Sequence, residues 1–314
     1  MTVTATGTYH AGERQVQTRA GLREQAQFSA RARHRHIPEI ARDFLAQQVM
    51  LIAGASDEHG SIWVSLLSAP AGFIKVTGDT TLHVQSLPPK GDPLRARFTA
   101  LDGQPFDIGM IAIEPATRRR MRMNGSATTA TNGFHVALEQ IYANCPKYIQ
   151  KRQVETLAEP PGPSPASTTD RLTGAQQALI SSADTFFVAT ADGEGHADAS
   201  HRGGNPGFVK VLSPTMLRWP DYRGNAMFGT LGNIEVNPAA GLLFPDWESG
   251  GCLQLTGTAR IDWDTGRTAA VPGAERLIEF TVQRVVEIPD ATPLRWTGVE
   301  YSRFNPTADR YPTA

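Results

Sequence analysis

Two stretches of this chain read as copies of one another, and this constrains the fold more than any single motif. "GFIKVTGDTTLHV" starts at Gly72 and "GFVKVLSPTMLRW" starts at Gly207, an offset of 135 residues. Further on, "IGMIAIEPATRRRMRMNGSA" parallels "AAGLLFPDWESGGCLQLTGTA", with Gly125 and Gly257 132 residues apart. Two matches in the same order at nearly constant offset imply an internal duplication. Each copy runs strand, turn, strand, connecting segment, apolar strand, turn, and a strand ending in Gly-x-Ala.

Between the copies lies "AEPPGPSPASTTD", residues 158–170. Pro and Ser dominate it and little in it can be buried, so it reads as an extended linker. The chain of 314 residues therefore divides into an N-terminal basic extension (1–36), a first domain that is the degenerate copy (37–157), the linker (158–170), and a second domain with a C-terminal tail (171–314). In the second half, "TFFVATA", "HADASH", "GFVKVL", "TMLRWPD", "GLLFPDW", "CLQLTGTARIDW" and "RLIEFTVQRVVEI" read as strands, bounded by "DGEG", "GGNPG", "SP" and "SGG" turns. Helical period is confined to "EIARDFLAQQVMLI" and "GFHVALEQIYANCPKYIQKR" in half one, and to "TGAQQALISSA" and "NAMFGTLGNIEVN" in half two. Many short strands with a few helices predict a mainly β protein, with a β-barrel and flanking helices in each half. A sandwich is the alternative.

Several function classes are excluded or disfavoured. Net charge is −1, without the basic footprint of a dedicated nucleic-acid binder. The basic run "RARHRHIPEIARDF" reads as a solvated helix face. Cys145 and Cys252 are the only cysteines, which removes a disulfide framework and a structural zinc site. The N-terminus lacks an apolar signal-peptide region, and no apolar run approaches the ~20 residues that span a bilayer. The expectation is a soluble, cytoplasmic protein, with no membrane or nucleic-acid partner. "DGEGHADA" opens like a dinucleotide fingerprint but has no third glycine and leads into a strand, so it reads as a hairpin turn. Nucleophile-elbow, zinc-protease, Walker and kinase motifs are absent.

The chemistry concentrates in "PDYRGNAMFGTLGNIEVNP", residues 220–238. Its counterpart in half one, "QSLPPKGDPLRARFTALDGQPFD", is longer and lacks both Gly-Asn pairs. The copies keep their strands and differ here. Arg223 can clamp a phosphate bidentately. The amides of Asn225 and Asn233 can donate and accept, which suits a ring edge or a polyol. A helix over "NAMFGTLGNIEVN" would point free N–H groups at an anion held by Arg223. A polar loop capping a barrel end, with Asn as turn residues, accounts for the same residues.

The stretch from "GFVKVL" through "LQLTGTARI" resembles the pyridoxamine 5'-phosphate oxidase-like, FMN-binding split-barrel superfamily. Within it, the pattern "PDYxGN…LGN…NP..GLLF.D…G..LQ..G.A" is similar to a flavin-nucleotide-binding branch. The resemblance is clearest over 181–264 and looser over 37–154. It implies six-stranded split barrels that pair, with FMN in the groove between them. Half two would be the FMN-binding domain, and the two halves would pack as a pseudo-dimer from one chain. By position, the resemblance implies cofactor contacts from Lys210, Arg223, Asn225, Thr230, Asn233, Cys252 and Gln254. Lys147 of "NCPKYIQ" would join them from half one, while Cys145 is expected to be a small buried hydrophobe. One flavin per chain is expected. The oxidase's "SRK" phosphate motif is replaced by "YRGN", and its later-strand glutamine aligns with Cys252, so pyridoxal phosphate synthesis is not expected. The function implied is an FMN-dependent oxidoreductase taking electrons from NAD(P)H or a partner reductase, with a further homodimer of chains possible. The alternative is a non-catalytic flavin carrier or sensor, or a haem or deazaflavin (F420) binder on the same fold. For haem, His201 and Cys252 are the candidate axial ligands.

Overall fold

A computed structural model describes residues 9–100, 102–156 and 165–307. In the first half, β1 (Met50–Ser56) and β2 (Ile62–Ser68) form a hairpin, followed by β3 (Ile74–Val76) and β4 (Thr81–Val84). Then come β5 (Phe106–Glu114), β6 (Arg119–Ala130) and β7 (Gly133–Ala143), in a sheet of order β2-β1-β5-β6-β7-β4-β3. Two short strands, β8 (Lys151–Thr156) and β9 (Ser167–Thr169), lead into the second half. There β10 (Thr185–Ala191), β11 (Ala197–Gly203), β12 (Lys210–Ser213), β13 (Met216–Tyr222), β14 (Ala239–Pro245), β15 (Cys252–Asp262) and β16 (Ala274–Ile288) form the order β11-β10-β14-β15-β16-β13-β12. The two paths are the same path, strand for strand. Each is an antiparallel sheet of seven strands on its main path, one more than expected, curled into a split barrel. Strand β17 (Leu294–Glu300) pairs with β8, so the C-terminal tail staples the end of the first barrel.

The glycines that revealed the duplication mark a shared bend. The β6–β7 register shifts at Asn124/Gly125, and the β15–β16 register at Thr256/Gly257. A Cβ at Gly125 would run into the Ala137 carbonyl, and one at Gly257 into that of Thr281. These bulges let a long strand turn the corner of its barrel.

The barrels pack through β1, β2 and β5 against β10, β11 and β14. The contact is isologous, as in a two-fold dimer. A Cβ on Gly109 of β5 would strike the backbone of Asp198 on β11, and one on its counterpart Gly241 of β14 would lie 2.6 Å from the Ile62 carbonyl oxygen of β2. Only glycine permits backbones to approach this closely. The first core continues across the junction, with Phe187, Leu243 and Ile288 packed into the cluster that holds Trp63 and Leu67. Trp219, Phe186 and Phe280 centre the second core.

Helices cover the ends. They are α1 (Ala11–Arg19), α2 (Arg23–Ala30), α3 (Glu39–Ala46), α4 (Arg95–Thr99), α5 (Gly174–Ser182), α6 (Gly229–Val236) and α7 (Thr265–Ala269). Two expectations change. "GFHVALEQIYA" is strand β7, not helix: Phe134, Val136 and Leu138 are buried while His135, Ala137 and Glu139 alternate away from the core. That period of two is satisfied by pairing with both β6 and β4. The basic run is not a helix face before Glu39. Its Arg33 side chain is largely covered, 2.5 Å from the buried carboxylate of Glu13, with its guanidinium over the Tyr9 ring. The N-terminal arm crosses to the second barrel, where α1 packs on α6. Most of the 158–170 linker lies outside the described residues.

Candidate functional site

A cleft of about 240 Å³ opens where the barrels meet, and both halves line it. The second barrel supplies Ser200, His201 and Arg202 from β11, the end of β13, and the loop from Arg223 to Phe228. The first barrel supplies Arg120 and Arg122 of β6, then Asn144, Cys145, Lys147 and Tyr148 from the segment after β7. Leu22 and Gln25 of the arm close one side. The arm also holds the loop: Ser29 Oγ donates to the Asn225 carbonyl at 2.6 Å, and Gln17 Nε2 to that of Met227 at 3.1 Å.

Four non-glycine residues have positive φ among the described residues, and three of them, Tyr148, Ala226 and Phe228, line this cleft. Left-handed backbone at such residues is costly and persists where surrounding structure enforces it, often at functional sites. Tyr148 lies against Tyr222 with ring centroids 5.1 Å apart, and its hydroxyl donates to the Arg223 carbonyl at 3.2 Å.

The electrostatics of the floor are uneven. Arg122 pairs with Asp198, and its Nε donates to the Ala199 carbonyl at 2.9 Å. Arg202 pairs with Asp221 at 2.8 Å. Arg120 has no carboxylate partner among the described residues; its Nη1 lies 2.7 Å from His201 Nδ1. Burial, with Arg122 and Arg202 beside it, pushes the Arg120 pKa down to about 9, so it stays cationic at neutral pH. Burial, then Arg120 and Arg202, holds His201 well below the usual histidine range. His201 is thus neutral. Because Nδ1 accepts from Arg120, its proton sits on Nε2, a buried nitrogen with no acceptor.

The residues singled out in sequence fall into four places. Lys147, Arg223, Asn225 and Thr230 line the cleft together. Asn233 is buried one helical turn away, where its Nδ2 donates to Thr190 Oγ1 at 3.0 Å. It borders a neighbouring depression of about 410 Å³, edged by Glu13, Asp107, Glu139 and Asp192. Lys210, on β12, is exposed and does not line the cleft. Cys252 and Gln254 lie across the pseudo-two-fold, within the junction of the barrels. Gln254 Nε2 donates to the Val64 carbonyl at 2.6 Å and to Asp92 at 2.9 Å. The offsets of the duplication equate Cys252 with Arg120, Gln254 with Arg122, and Val64 with Ala199. The Gln254–Val64 bond therefore repeats the Arg122–Ala199 bond, but at the mirror position Asp92, Ser65 and Gln254 fill the groove. Cys145 is exposed at the cleft mouth and not a buried hydrophobe.

The sequence reading missed Arg120, Arg122, His201 and Arg202 as a group. The signal was available: at constant offset, an arginine-dense "RRRMRM" stands against "GGCLQL". Helix α6 differs too. It starts at Gly229, and the carboxylates of Asp198 and Glu13 reach 3.5 and 3.8 Å from the Cβ position there. The protein thus brings its own anions to that N-terminus. Among the described residues, no cluster of His, Cys, Asp and Glu is arranged to hold a metal, and no helix is long and apolar enough to cross a membrane.

Two curled antiparallel sheets around one cationic cleft define a duplicated split-barrel protein. Residues 172–299, most of the second half, match the family model of pyridoxamine 5'-phosphate oxidase, so the second barrel is similar to that split-barrel family. No curated protein matches the chain. Similar solved structures include HupZ of Group A Streptococcus, at 18% identity and TM-score 0.32, over 38% of this chain and 97% of that one. A protein related to general stress protein 26, of the pyridoxinephosphate oxidase family, from Clostridium acetobutylicum is 16% identical, with TM-score 0.26, over 38% of this chain and 88% of its own. An F420 reductase is 14% identical, with TM-score 0.27, over 41% and 98%. All three are too distant to bear on chemistry.

Proposed function

We propose that the cleft binds one FMN per chain and that the protein is an FMN-dependent oxidoreductase. The observation that carries this reading is charge. Of the five cationic side chains that line the cleft, Arg122 and Arg202 are paired with Asp198 and Asp221, which leaves Arg120, Lys147 and Arg223 without a carboxylate partner among the described residues. A phosphate-bearing ligand supplies the missing counter-charge. Arg202 Nε, a buried donor without an acceptor, fits an anionic group in the same way. Arg223, Asn225 and Lys147 would hold the phosphate end, and Tyr148, Tyr222 and Phe228 offer aromatic surface to a flat ring. When bound, the flavin supplies the electron transfer, and the chain's residues bind and orient it. Electrons would come from NAD(P)H or a partner reductase. The domain boundaries, 37–157 and 171–314, and a possible homodimer of chains belong to the same proposal. The filled mirror groove favours a single site.

The test is FMN titration of the purified chain, followed by anaerobic addition of NADPH. Saturation at one FMN per chain with a perturbed flavin spectrum supports the reading. A chain that takes up no FMN, or two per chain, overturns it. A bound flavin that neither NADH nor NADPH reduces, with no reductase able to substitute, leaves a carrier.

A further inference from the structure

The positive charge in the cleft falls into two groups with different surroundings. One is on the loop after β13 and the segment after β7: Arg223, exposed beside Tyr148, and Lys147. The other is on the facing strands β6 and β11. There Arg122 and Arg202 are already neutralised by Asp198 and Asp221. Arg120 is not. Its one bonded partner is the neutral imidazole of His201, and its Nε is buried without an acceptor. His201 is itself only 7% exposed, with Nε2 lacking an acceptor. A half-buried guanidinium without counter-charge costs stability unless a ligand supplies that charge. A planar guanidinium fork beside an N–H donor matches the oxygens of a carboxylate or phosphate.

We propose that Arg120 and His201 form a second anion subsite in the cleft, taking the carboxylate or phosphate group of the substrate, while the loop bearing Arg223 takes the phosphate of the cofactor. This rests on the flavin reading of the same cleft. It makes the preferred substrate an anion whose charged group is recognised jointly by the two barrels. Arg120 comes from the first and His201 from the second, so the subsite exists only in the packed pair. The duplicated partner of Arg120 is Cys252, which cannot repeat it at the mirror groove.

The experiment uses the full chain loaded with FMN, titrated calorimetrically with benzoate and separately with inorganic phosphate. One saturable site per chain is expected, with the flavin spectrum perturbed. Preference for benzoate marks a carboxylate substrate, and preference for phosphate marks a phosphate ester. Arg120→Met should weaken the anion about tenfold or more, the effect of losing a charged hydrogen bond, while FMN affinity stays within about threefold. His201→Phe keeps the ring and removes Nε2–H, and should weaken the anion with an unchanged thermal melt. In ¹⁵N-histidine spectra, the His201 Nε2 signal should shift on anion addition. No saturable binding of either anion overturns the proposal, as does unchanged anion affinity in Arg120→Met. An equal fall in FMN affinity in that variant also overturns it, because Arg120 would then be a cofactor contact. A chain that takes up no FMN defeats the flavin reading alone, and the same titrations on the unloaded chain still decide the subsite.

Discussion

Asp92 should make the junction between the barrels pH-sensitive. It sits in the loop before α4, 5% exposed, and accepts hydrogen bonds from Ser65 Oγ at 2.7 Å, the Leu94 amide at 2.8 Å and Gln254 Nε2 at 2.9 Å. Despite these bonds, burial pushes its carboxyl up from 3.8 to about 6. A folded-state pKa above the unfolded one means the native state holds the proton more tightly. Between pH 4 and 6 the unfolded chain has released this proton and the folded chain has not. Stability therefore falls as pH rises through that window and levels off above it. A shift of about two units corresponds to about 3 kcal/mol in all, of which about 1 kcal/mol falls between pH 5 and 7. Urea unfolding of the wild type and Asp92→Asn at both pH values isolates it, because other titrating groups cancel in the difference. The wild type should lose about 1 kcal/mol more than the variant from pH 5 to pH 7. Identical pH dependence in the two proteins would refute the reasoning.

Three other outcomes test the architecture and the site. Gly241→Val puts side-chain atoms against the backbone of Ile62 and Trp63 and should destabilise the fold by about 3 kcal/mol or more in urea melts; an unchanged midpoint would mean the barrels do not pack closely there. Native chains should show one thiol to Ellman's reagent, exposed Cys145, because Cys252 is buried with its thiol pushed well above the usual range by burial; two should appear after unfolding, and two in the native state would misplace Cys252. Arg223→Ala should weaken FMN about tenfold or more in a fluorescence titration, and an unaltered affinity would remove Arg223 from the phosphate site.

Local physics made much of the β framework legible. Most of strands β10 to β16 follow from runs of β-branched and aromatic residues punctuated by turn glycines, and each fell where such a run predicts it; β11, "ADASHRG", is set instead by its place between turn glycines. Gly125 and Gly257 betrayed the duplication because each occupies a bulge that any larger residue would block. Periodicity failed at Gly133–Ala143, whose alternation decides its state only when β6 and β4 lie on either side to pair with it.

The site divides along the same line. Arg223, Asn225 and Thr230 could be chosen from sequence because they belong to one contiguous segment that the other copy lacks. Cys252 and Gln254 sit on a strand of the right kind, yet they face the mirror groove that Asp92 and Ser65 fill. Arg120 and Arg122, their counterparts in the first barrel, line the open one. By itself the sequence determined the strands of the second half, the duplication and the segment that carries polar chemistry, since these depend on neighbours along the chain. Which barrel supplies each wall was decided only by the pseudo-two-fold packing, because it brings β6 of one copy against β11 of the other, and no spacing within either copy encodes that meeting.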